Sequence, residues 1–164
     1  VDAQQGRPEK MLSIAATMER RWGHYRSQLG SRKMSVVGLP RLVIAETDDD
    51  TDIRIAEELT SVASGEVADA GVTGMLDAIS KGYALVEIVW DRTAVPWRPK
   101  EFVWRRPEHF VVDRFTYETL RLKTDEHPDN GVPLEPGKWV KVQGWDNAEA
   151  AKKAIVDSVN AYKG

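Results

Sequence analysis

Apolar residues recur at three- and four-residue steps from Lys10 to about Met34: Met11, Ile14, Ala15, Met18, Trp22, Tyr25 and Leu29. Side chains at this spacing share one face of an α-helix, which the segment is predicted to form. Gly23 and Gly30 interrupt the pattern. Each costs about 1 kcal/mol relative to alanine, so a kink or break is expected near one of them. Gly38 and Pro40 end the helical stretch, and the apolar run Arg41-Leu-Val-Ile-Ala45 predicts a short strand. An acidic loop occupies residues 46–52, with Asp50 or Thr51 placed to cap the next helix. Ile53, Ala56, Leu59 and Val62 mark the inward face of that helix, which stops near Gly65. A further helix, about Val67 to Lys81, turns Val72, Met75, Leu76 and Ile79 inward. Gly82 stands at its end, where a positive φ is commonly needed.

From Tyr83 the period changes to that of strands. Residues 83–90, an almost wholly apolar run, and residues 101–105 read as an antiparallel pair joined by a long loop containing Pro96 and Pro99. Short strands are expected at 110–112, 119–123 and 138–142, separated by loops at 113–117 and 126–137. Helices first and short strands after them predict an α+β fold, with N-terminal helices packed on a mostly antiparallel sheet. Leu85, Val86, Ile88, Trp90, Phe102 and Trp104 are its expected core. The chain divides into a flexible leader (1–9), an α+β domain (10–145) and a C-terminal helix (146–164) capped by Asp146, with Ile155, Val159 and Tyr162 as its apolar stripe.

Composition narrows the function more than the fold. With 41% hydrophobic and 30% charged residues, the 164-residue chain is ordinary globular protein. No run approaches the roughly 20 apolar residues of a membrane span. The absence of cysteine removes disulfides, thiolate catalysis and cysteine-bound zinc together. A net charge of −3 argues against a protein whose main task is gripping phosphates. Most of the six tryptophans lie in or beside strand-like segments and read as packing residues.

Catalytic and metal signatures are hard to find. Asp48, Asp50 and Asp52 alternate like the first ligands of a calcium loop, but Ile53 and Leu59 stand where that loop needs glycine and a bidentate glutamate. His24, His109 and His127 have no metal-ligand spacing, and neither a serine elbow nor a phosphate-cradling glycine loop occurs. No cofactor or metal is therefore expected. Glu87 is the one provocative carboxylate, because strand alternation puts it on a face with Leu85 and Val89. An ion pair with an arginine at a subunit contact is the preferred reading. The alternative is a small enzyme whose site assembles from Glu87, His109 and nearby arginines, which requires those groups to meet in a concave pocket. Another is a nucleic-acid-binding adaptor, which requires the arginines to line one continuous face.

A set of segments in fixed order adds a resemblance: Arg32-Lys-Met-Ser-Val-Val-Gly-Leu-Pro40, Lys81-Gly-Tyr-Ala-Leu-Val-Glu-Ile-Val-Trp90, Arg106-Pro-Glu-His-Phe110, Leu120-Arg-Leu, and Pro133-Leu-Glu-Pro-Gly-Lys-Trp139. Together they resemble the N-terminal wing region of Mu-like phage and prophage portal proteins, over about Met18 to Trp139. After Trp139 the text departs from the family pattern: Gln143-Gly-Trp and a helix stand where family members continue with a histidine and a basic, glycine-rich stretch. The resemblance implies a non-enzymatic structural subunit, about the first third of a full family member. It implies a ring of about twelve copies that forms the head–tail connector for DNA packaging and ejection. The implied partners are other copies of itself, capsid, packaging-motor and tail-adaptor proteins, and double-stranded DNA in transient, nonspecific contact, with no membrane. The implied location is the capsid vertex of the virion, and the host cytoplasm during assembly. The candidate subunit interface comprises Arg20, Arg26, Arg32 and Lys33 on the basic helix, Glu57 and Glu58 on the acidic one, and Glu87.

Overall fold

The structure, a computed structural model, describes residues 8–93, 95–113 and 119–143. Nearly all of the expected leader and the whole of the expected C-terminal helix lie outside these residues. The fold is α+β: helices lead, and two small antiparallel sheets follow.

The long basic helix is two helices, α1 (Glu9–Arg21) and α2 (Gly23–Val37). The break falls at Trp22, whose extended backbone (φ −103°, ψ 96°) admits no further helical turn. Leu12 and Leu29 are its buried residues, while Met11, Ile14 and Trp22 are exposed, so the inward face is narrower than the spacing predicts. Residues 41–45 form no strand. A strand exists only with a ladder partner, and no described residue supplies one. Helix α3 (Asp50–Ala63) starts after Asp49, which occupies the N-cap without a side-chain cap bond, so neither Asp50 nor Thr51 fills that role. Ala56 is its buried residue and Ile53 faces outward.

The predicted third helix is also divided, into α4 (Glu66–Met75) and the single turn α5 (Ala78–Lys81). The interruption turns Asp77 inward. Its carboxylate accepts from Lys81 Nζ at 2.6 Å and from Lys33 Nζ at 3.3 Å, and Glu19 completes the group at 3.3 Å from Lys33 and 3.8 Å from Lys81. Two carboxylates and two ammonium groups thus join α1, α2 and α5 with no net charge. Such a cluster is tolerated in the interior only while every partner is present. Gly82 ends α5 in the left-handed region (φ 81°), as expected of a helix C-cap.

Strand β1 (Tyr83–Asp91) is central in the first sheet, with β2 (Arg98–Arg105) and β6 (Trp139–Gln143) antiparallel on its flanks. The second sheet contains β3 (Phe110–Val112), β4 (Leu120–Leu122) and β5 (Val132–Pro133). The register places Val86, Trp104 and Val140 across from one another on one face of the first sheet. Helix α4 covers that face at close range. A Cβ on Gly74 would stand 2.9 Å from Val86 Cγ2, and one on Gly71 would stand 3.0 Å from the Phe102 ring. The opposite face carries Tyr83 and Leu85, which join Leu12, Phe110 and Leu120 in the main core. Coverage on both faces explains why β1 is apolar almost throughout. Of the expected core, Leu85 and Val86 are fully buried, Ile88, Trp90 and Phe102 are half-buried, and Trp104 is 40% exposed.

Candidate functional site: a cationic cleft between the sheets

Where the first sheet runs past the edge of the second, an open cleft of about 510 Å³ remains, lined on one side by Glu87, Arg105 and Trp139 and on the other by His109, Phe110 and Leu122. Arg106 and Lys138 also reach it. Strand alternation supplies the first group, since Glu87 pairs with both Val103 and Trp139 across β1. The 3₁₀ turn Pro107–His109 places His109 directly before β3, and β3 and β4 supply Phe110 and Leu122. Trp139 stacks edge-to-face on Phe110, with centroids 5.5 Å apart and an interplanar angle of 84°, which fixes the cleft's apolar floor.

Glu87 is engaged. Its Oε2 accepts from Arg105 Nε at 2.7 Å and Nη2 at 2.6 Å, a forked pairing that suits guanidinium and carboxylate geometry. Lys138 Nζ lies 3.6 Å from Oε1. The expected ion pair with an arginine is therefore present, and its partner comes from the same chain. Arg106 and Lys138 leave the cleft net positive. It suits a carboxylate or phosphate held beside an apolar or aromatic surface.

The other candidate residues lie elsewhere. Arg26 and Arg32 are exposed on α2, and Glu57 and Glu58 on α3. Arg20 lies on the surface of α1, where its Nε donates to the Ala16 carbonyl at 3.3 Å. Lys33 is only 15% exposed and belongs to the internal cluster with Asp77. Some of the other arginines have partners within the chain. Arg121 donates to Asp113 at 3.0 Å, Arg41 binds Asp69, and Arg92 stacks over Trp97 at 5.2 Å. Sequence reasoning named Glu87 and His109 for the cleft but missed Phe110, which follows His109 into β3, and Lys138 and Trp139, which only the pairing of β6 with β1 brings there.

Two titrating groups near β1 have shifted equilibria. The Tyr83 phenol is buried, donates to the Pro107 carbonyl at 2.9 Å and lies near the Glu9 and Glu108 carboxylates. Burial first, and those charges second, raise its pKa well above the ordinary phenol value. At the end of β1, Asp91 accepts from the Thr93 hydroxyl (2.6 Å) and N–H (2.9 Å), which holds its carboxyl below the usual range. Among the described residues no three His, Asp or Glu side chains group as a metal site, and no helix is long and apolar enough to cross a membrane.

Comparison with known proteins gives two signals of different extent. Curated inorganic pyrophosphatases match mostly over short stretches. That of Salmonella typhimurium (strain LT2) is 80% identical over 41 residues, 25% of this chain and 23% of that protein. That of Escherichia coli (strain K12) is 67% identical over 46 residues, 28% of this chain and 26% of that protein. Over a longer span, the Pseudomonas aeruginosa enzyme is 28% identical across 123 residues, 73% of this chain and 64% of that protein. The chain spans between about a quarter (23%) and just under two thirds (64%) of the length of these three relatives. The family described as the portal protein of Mu bacteriophage matches residues 12–155, which takes in both sheets, α2 to α5 and most of α1. The chain belongs to the Mu-like phage portal protein family.

Proposed function

We propose that the chain acts as a structural, non-catalytic subunit of a portal ring, the head–tail connector through which phage DNA is packaged and ejected. The observation that carries this reading is the family match across residues 12–155. The ring has about twelve copies, and closed rings need two different flanks that fit head to tail. Arg20, Arg26 and Arg32 on α1 and α2 form one flank, and Glu57 and Glu58 on α3 form the other. Lys33 and Glu87 act indirectly, holding α2 and β2 in place through their internal ion pairs. Capsid, packaging-motor and tail-adaptor proteins are the partners at the virion vertex. DNA contact is transient and nonspecific, in keeping with a net charge of −3. Light scattering on full-length wild type and on Arg26→Glu/Arg32→Glu tests the assignment. Rings are expected for the wild type and weaker ones for the double variant. A wild type that stays monomeric or dimeric at high concentration overturns the reading.

The convergence of Glu87, His109, Arg105, Arg106 and Lys138 supports a second reading, in which the cleft holds an anionic substrate such as pyrophosphate. It is favoured by the local likeness to inorganic pyrophosphatases and opposed by the engagement of Glu87 with Arg105. Phosphate release from pyrophosphate in the presence of magnesium, abolished by Arg106→Ala, supports it. No release above background removes it.

A further inference from the structure

Residues 41–45 have the sequence of a strand and the environment of none. Leu42 is 81% and Ile44 77% exposed, and the backbone of 41–45 makes no backbone hydrogen bond to any described residue. The flanking elements hold the segment lightly. Helix α3 after it makes no extensive contact with any other element, and the Arg41–Asp69 ion pair is its link to α4. The Nη1 of Arg41 is buried and lacks a hydrogen-bond partner among the described residues. An apolar segment whose N–H and C=O groups make no backbone hydrogen bond to a described residue can extend and pair with an exposed sheet edge.

Such an edge exists in every copy. Strand β2 ends the first sheet, and among the described residues nothing pairs with its outer side. Glu101, Trp104 and Arg105 on it are exposed. Charge favours the match. Glu46, Asp48, Asp49 and Asp50 directly follow the segment, and none is ion-paired with a described residue. Arg105 closes β2 and Arg106 follows it, and with Lys138 they line the cationic cleft at that end.

We infer that residues 41–45 of one copy add to the outer edge of β2 of the next, parallel to it, and that the acidic loop 46–52 enters the neighbour's cleft. The contact is head to tail, since donor segment and acceptor edge are different surfaces of the same chain. It buries Leu42 and Ile44 and gives the cleft an anionic occupant. The inference rests on the ring assignment and adds a strand-to-edge contact to the charged flanks named there.

The absence of cysteine from these 164 residues permits a direct test by disulfide trapping in the full-length protein, with any cysteine elsewhere in it replaced by serine. The variants are Ile44→Cys/Val103→Cys, Ile44→Cys/Glu101→Cys and, as control, Thr60→Cys/Val103→Cys, each sized by light scattering before oxidation. The expected result is rings for all three and, after oxidation, a ladder of covalent multimers for at least one of the first two but not for the control. Rings without a ladder from either test pair overturn strand addition and leave the ring assignment standing. A crosslink within one chain, which leaves molecular mass unchanged, overturns the assignment of the segment to a second copy. Failure to form rings at all overturns both. Leu42→Asp/Ile44→Asp is the complementary variant: loss of rings at an unchanged melting temperature is expected, and intact rings count against the inference.

Discussion

Strand β1 and the segment 41–45 are built from the same kind of residue and reach opposite ends of the burial scale. Leu85 on β1 is fully buried, whereas Leu42 is 81% exposed. Intrinsic strand preference does not separate them, since both runs are rich in Val, Ile and Leu. What separates them is company. β1 has a strand on each flank, α4 on one face and the Leu12–Phe110–Leu120 cluster on the other. Residues 41–45 lie between a helix end and an acidic loop, with no ladder to any described residue. Strand preference is thus a statement about fit to a pleated, half-buried surface, and the sequence of a segment does not say which molecule provides that surface.

The largest expected effect tests this contrast directly. Leu85→Ala removes buried methyl groups and is expected to cost about 2–5 kcal/mol, whereas Leu42→Ala in the isolated chain is expected to stay within about 0.5 kcal/mol. Denaturant midpoints of the two variants measure both. A comparable loss for Leu42→Ala would show that the segment is packed within its own chain.

Glycine contacts sharpen the same comparison at intermediate size. In α4 a methyl on Gly74 meets the stiff, buried Val86 side chain at 2.9 Å and Trp104 Cβ at 3.2 Å. Gly74→Ala is therefore expected to destabilise by about 1–3 kcal/mol despite the better helix propensity of alanine. In α2 nothing lies within 4 Å of a Cβ on Gly30. There the propensity term acts alone, and Gly30→Ala should stabilise by up to about 1 kcal/mol. Thermal melts that move both variants in the same direction would break the distinction between the sandwiched sheet and the lightly packed helices.

The smallest effect is in pH. The neutral Tyr83 phenol is favoured in the folded protein, so its contribution is fully present below the ordinary value of 10.0. It is lost as pH rises beyond that, because the unfolded chain ionises first. The melting temperature should fall on the alkaline side, and Tyr83→Phe should flatten that limb while losing the bond to the Pro107 carbonyl, worth about 1 kcal/mol. An unchanged alkaline limb in the variant would mean that other groups govern it.

Much of this protein follows from the chain read alone. The order of helices and strands, the left-handed turn at Gly82, the pairing of β1 with β2 and the common face of Leu85 and Glu87 come from periodicity and turn chemistry, which act between near neighbours. The Mu-like portal family is legible too, because its segments keep their order along the text. Other features arose only in three dimensions. Helix α4 ends at Met75 because Asp77 is turned inward to meet Lys33 and Lys81, and no local rule links residue 33 to residue 77. Gly71 and Gly74 look like poor helix formers until Phe102 and Val86 press against them. The cleft depends on β6 lying beside β1, which brings Trp139 and Lys138 to Glu87 across some fifty positions of chain. Local sequence specifies conformation through dihedral preference and spacing. Partnership between distant groups depends on how the layers stack, and here that stacking separated a buried strand from an exposed one of similar composition.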